Sequence, residues 1–110
     1  MTTLWHFTCD HGMRGIRRDG LLKPGPDGWV WLTDLRKPRR SEIGLTSHLL
    51  RCDRMAWRIT VADPGADVAP WVSEGAPGLR SLLEASPVAR PDHWWVSSTP
   101  VRITSLARVR

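Results

Sequence analysis

Leu4-Trp5-His6-Phe7-Thr8, followed by Cys9-Asp10-His11-Gly12-Met13-Arg14-Gly15-Ile16-Arg17-Arg18-Asp19-Gly20-Leu21-Leu22, reads as a short strand, a tight turn and a helix that stops at Gly20. Side chains alternate along a strand, so Trp5 and Phe7 point one way and Leu4, His6 and Thr8 the other. His6 is the polar residue inside an apolar run, set at a strand end where an imidazole can reach a ligand. Asp10 is a good residue to cap the helix, because its carboxylate can accept from first-turn N–H groups. Met13, Ile16 and Arg17 recur at helical spacing. Arg17 and Arg18 suit the negative end of the helix dipole. Gly20 supplies the left-handed residue that ends many helices. Gly12 and Gly15 each cost about 1 kcal/mol relative to alanine, and they leave room for something to approach closely.

Downstream, Lys23–Gly28 is a turn-rich loop. Trp29–Thr33 is a second strand, apolar on both faces and therefore central. Asp34–Arg40 is a polar, basic loop; Ser41–Leu45 reads as one helical turn or as irregular chain, and Leu45–Arg51 as a loop approaching a strand. Met55, Trp57, Ile59 and Val61 share one face of a strand whose other face is wet. Residues 66–77, with Pro70, Gly75 and Pro77, read as a loop with Trp71-Val72 tucked inward. Leu79, Leu82 and Leu83 predict a short helix over 78–85, stopped by Pro87 and Pro91. His93–Ser97 is a strand, and residues 100–109 finish the chain as one or two more. Two short helices beside five or six strands predict an α+β fold with a small curved or split, mainly antiparallel sheet.

The 110 residues fit a single domain, 1–110. Seven Trp stand against one Phe and no Tyr, so most of the indoles should be core or site walls. The net charge is +5. Lys occurs only at positions 23 and 37, so the other basic residues are all Arg. Arginine forks suit phosphate and carboxylate, which points to a nucleic acid or an acidic protein as partner, although a GC-rich genome produces the same bias. Met1 is followed by polar residues rather than an apolar leader, and no run suits a membrane span, so a cytoplasmic location is expected. Cys9 and Cys52 then read as free thiols. His6, Cys9 and His11 have no second paired set, so a zinc site is not indicated. Neither a P-loop nor a dinucleotide-binding glycine pattern is present.

Three stretches together resemble the ADP-ribosyltransferase fold. Leu4-Trp5-His6, a helix and Gly20-Leu21 look like the opening of poly(ADP-ribose) polymerase domains, and Trp5-His6-Phe7-Thr8 resembles the first strand of DarT toxins. Gly28-Trp29-Val30-Trp31-Leu32-Thr33-Asp34 is similar to the second motif. His93-Trp94-Trp95-Val96-Ser97 with Val101–Val109 resembles the closing strand pair. The resemblance implies NAD as substrate, with His6 on a ribose hydroxyl, Phe7 and Thr8 beside it, and Trp31 and Thr33 on the second strand. Trp31 would wall the nicotinamide pocket. The family's second ring falls near Glu42-Ile43, where this chain has no aromatic. The family's glutamate position carries His93, with Asp92 beside it, so the implied catalytic residues are His6, His93 and Asp92. A neutral imidazole cannot supply the negative charge that stabilises an oxocarbenium-like sugar. Asp92, Glu42 or Glu84 would have to stand in. The implied activity is ADP-ribose transfer to a protein or nucleic acid. The alternatives are an inactive basic binding module on the same fold and RNA 2'-phosphotransferase-like chemistry.

Overall fold

A computed structural model describes residues 3–26, 28–39, 53–62, 64–71 and 91–109. In chain order the elements are β1 (Leu4–Thr8), α1 (Asp10–Asp19), β2 (Leu21–Leu22), β3 (Val30–Thr33), β4 (Trp57–Val61), β5 (Val68–Pro70), a 3-10 turn (Pro91–His93), β6 (Trp94–Ser97), β7 (Val101–Arg102) and β8 (Ser105–Arg108). Six strands form one sheet in the order β5-β6-β3-β1-β4-β8, and β2 pairs with β7 in a second, two-stranded sheet. Every pairing is antiparallel. The protein is thus α+β with a mainly antiparallel sheet, and it has one α-helix among the described residues. The helix expected over 78–85 lies outside those residues, as do residues 41–51. Among the described residues no helix is long and apolar enough to cross a membrane.

The alternation read from the sequence sorts the side chains into two layers. Register pairs Leu4 with Val61 and His6 with Ile59. On that face Leu4, Ile59 and Val61 join Val30, Leu32, Leu22 and Val101 in one core, with Ile16 of α1 packed on it. The opposite face carries Trp71, Trp94 and Val96, with Trp29 and Trp31 against them. The Trp31 and Trp71 rings lie 4.7 Å apart between centroids, and Trp94 meets Trp31 edge-on at 6.1 Å. Adjacent Trp94 and Trp95 therefore serve different layers: Trp95 packs on the first core. None of the seven indoles is exposed.

Several boundaries differ from the expectation, each for a local reason. The N-cap of α1 is Cys9, with no side-chain cap; Asp10 is the first helical residue. Its carboxylate is drawn outward, accepting from Trp57 Nε1 at 2.6 Å and Arg108 at 3.1 Å. The C-terminus behaves as read, with Gly20 at φ 68° and its N–H on the Ile16 carbonyl. β4 begins at Trp57 because Asp53 turns the chain just before it: its carboxylate accepts from Met55 N at 2.9 Å and its carbonyl from Ala56 N at 3.2 Å. His93 lies in the 3-10 turn, one residue ahead of β6. Val68–Pro70, expected as loop, is an edge strand on β6, where the missing N–H of Pro70 is tolerated. Leu21–Leu22 pairs with Val101–Arg102, an association that runs across most of the chain.

Candidate functional site

The functional geometry arises where the sheet comes apart. β1 is laddered to β4 through five registered positions, Leu4 to Thr8, but to β3 through Trp5↔Thr33 alone. Past that pair the two strands share no further register. There the His6 ring crosses the gap, and its Nδ1 lies 2.7 Å from the Trp31 carbonyl oxygen. A carbonyl only accepts, so Nδ1 carries the hydrogen and donates, which leaves Nε2 as the acceptor. A side chain thus takes a carbonyl that a continued ladder would have used.

Beside this strut lies a cavity of about 670 Å³, within the range of small-molecule sites. His6 and Thr8 of β1 contribute one wall, with Gly12, Gly15 and Ile16 of α1 facing them. Trp29, Val30 and Trp31 form the opposite wall. Leu21 and Leu22 lie along it, and Arg18, Asp19, Lys23 and Arg54 supply its charge. Gly12 is required for this packing, since a Cβ there would overlap the Thr8 hydroxyl, whereas Gly15 has open space beside it.

The electrostatics are uneven. Arg18 Nε and Lys23 Nζ each stand 3.1 Å from the Asp19 carboxylate. The Arg18 hydrogen bond, followed by that of Lys23, holds Asp19 below the usual carboxylate range. Arg54 has neither a hydrogen bond nor an ion pair among the described residues. Burial is the main influence on His6 and pushes its pKa below 6.5; the Trp31 hydrogen bond opposes this, and the positive charge of Arg54 adds to it. His6 is therefore neutral at neutral pH, a pure donor at Nδ1 and a pure acceptor at Nε2.

Of the residues expected at a site, the structure brings together His6, Thr8 and Trp31. Trp31 is both core and wall, and its carbonyl also sets the imidazole. Phe7 points to the other face of β1 and is buried. Thr33 is buried too, its hydroxyl accepting from Leu35 N at 3.1 Å in the turn that ends β3. His93 and Asp92 do not line the cavity. His93 Nδ1 is 2.6 Å from Asp34 Oδ1 and its Nε2 is 3.4 Å from Asp92, while Trp95 Nε1 donates to the other Asp34 oxygen at 3.3 Å. That network ties the end of β3 to the start of β6. Glu42 and Glu84 lie outside the described residues.

Sequence reasoning missed Trp29 and Arg54 as wall residues. Trp29 was legible in principle, since it is two residues from Trp31 and shares its face. Arg54 sits in a turn without periodicity, so nothing local marked it. Cys9 is buried. No group of three or more His, Cys, Asp or Glu suited to a metal ion occurs among the described residues.

No family model, no curated protein and no solved structure matches the chain. The functional argument therefore rests on the fold and on the chemistry of the cavity.

Proposed function

We propose that the chain is a small ADP-ribosyltransferase-like domain whose cavity binds NAD or a related nucleotide. The observation that carries this reading is the tautomer of His6. Its Nδ1 is committed to the Trp31 carbonyl, so a neutral Nε2 acceptor is left for the cavity. Such an acceptor suits a ligand hydroxyl, and a ribose presents hydroxyls at that scale. Trp29 and Trp31 line the cavity and bring it apolar surface of the kind an aromatic base or a nicotinamide packs on. The family name in this reading comes from the sequence resemblance alone; the sheet adds only its mainly antiparallel α+β form.

A second reading, binding without transfer, is favoured by one specific feature. Cleaving the bond between nicotinamide and ribose leaves positive charge on the sugar, and a free carboxylate close by would stabilise it. Among the described lining residues Asp19 is the carboxylate, and two cations hold it. Asp92 and His93 stand in a separate network.

The two readings separate in one experiment. NAD is titrated against the protein with tryptophan fluorescence as the signal, and nicotinamide release is followed in the same samples. Saturable quenching that disappears in the His6→Ala protein supports the nucleotide site, and nicotinamide release adds transferase or hydrolase activity. Quenching with intact NAD supports the binding module. Absence of any response to NAD, ADP or a 2'-phosphorylated RNA rules out the nucleotide reading.

A further inference from the structure

We propose that Arg54 is the anion-binding residue of the cavity, taking a phosphate of the nucleotide whose ribose hydroxyl is held by His6 Nε2. This rests on the nucleotide reading above and adds to it the charge of the ligand and the residue that selects for it.

Among the described lining residues three are cations: Arg18, Lys23 and Arg54. Two of them are already satisfied by one carboxylate, Arg18 and Lys23 each lying 3.1 Å from Asp19. Arg54 makes no hydrogen bond or ion pair among the described residues, yet it is close enough for its charge to act on the His6 imidazole. The backbone that carries it is held in place. Asp53 accepts from Met55 N and Ala56 N on either side of the turn, and the strand that follows registers Ile59 against His6. The guanidinium thus projects from an anchored turn beside a neutral acceptor, where the described lining residues hold three cations to one carboxylate. An anion with a neighbouring hydroxyl satisfies both groups at once, and a phosphate ester of a sugar has this form. The planar fork of arginine matches two phosphate oxygens together, which an ammonium does not.

Arg54 is exposed, so its replacement should leave the fold intact. The test compares wild type, Arg54→Gln and Arg54→Lys, with equal thermal unfolding as the entry condition. Each is titrated with NAD, with nicotinamide riboside, which lacks phosphate, and with inorganic pyrophosphate. The expected result is a loss of NAD affinity of about tenfold or more in Arg54→Gln, the scale of a hydrogen bond to a charged group. Arg54→Lys should fall between the two, and nicotinamide riboside should bind all three proteins alike. NAD binding that is unchanged in Arg54→Gln overturns the assignment while leaving the nucleotide reading intact. An equal loss for nicotinamide riboside also overturns it, because the effect is then not one of phosphate. Wild-type protein that binds pyrophosphate through Arg54 but not NAD supports the anion site and removes the nucleotide. Binding of neither ends both proposals.

Discussion

Replacing His6 tests whether a side chain holds the sheet together where β1 and β3 part. His6→Ala removes the donor to the Trp31 carbonyl, a part-buried hydrogen bond. Losing such a bond costs about 1–2 kcal/mol. For a domain of this size that lowers Tm by roughly 4 °C per kcal/mol. The Asn side chain can place an amide N–H near the position of Nδ1, so His6→Asn should keep the strut and lose under about 1 kcal/mol. The two variants also separate on pH. The folded-state pKa of His6 lies below 6.5, its value in the unfolded chain. As pH falls through that window the unfolded chain takes up a proton that the folded one refuses. The His6 contribution to stability is therefore fully present above 6.5 and is lost as pH falls towards the folded-state pKa. The slope for one proton is at most about 1.4 kcal/mol per pH unit. Urea unfolding followed by tryptophan fluorescence across this range measures both effects, and His6→Asn should flatten the slope. Equal stability of His6→Ala and wild type, or an unchanged slope in His6→Asn, would refute the strut.

Three further outcomes are expected. Gly12→Ala drives a methyl into the Thr8 hydroxyl and should cost about 1–3 kcal/mol; Thr8→Ala in the same chain should restore part of it, as a double-mutant cycle in denaturant would record. Gly15 has open space beside it, so Gly15→Ala should stabilise α1 by about 0.5–1 kcal/mol, whereas Gly15→Leu should keep stability but reduce NAD quenching by filling the cavity. Asp10 is held below 3.8, chiefly by the Trp57 indole N–H, so its contribution is present above 3.8 and lost as pH falls through the folded-state value; Asp10→Asn should flatten the acid limb of the stability profile.

Residues that act through their own backbone or their nearest neighbours were legible in the chain. The alternation in Leu4–Thr8 assigned the faces of β1, Gly20 marked the helix end, and the doubly apolar Val30–Thr33 placed β3 between two neighbours. What depends on distant partners was not legible. Val68–Pro70 has no strand pattern; it is a strand because β6 offers an open edge. Asp10 looked like a cap because its competitors, Trp57 and Arg108, lie far along the sequence. His6, Thr8 and Trp31 line one cavity. Phe7 and His93 do not join them: strand parity turns Phe7 away, and the bond from His93 to Asp34 holds that ring elsewhere. Arg54 became visible only once the Asp53 turn was set beside β1.

The order in which the chain is used has a consequence for its synthesis. The residues around the cavity run from His6 to Arg54, but β6, β7 and β8, which brace β3, β2 and β4, come from Trp94–Arg108. A nascent chain can therefore carry these lining residues while lacking the three late strands that hold them in shape. Contacts across such separations form slowly, because long loops must close first. Those residues should thus take up their arrangement only once Ser105–Arg108 has been made, and deleting that segment should undo it.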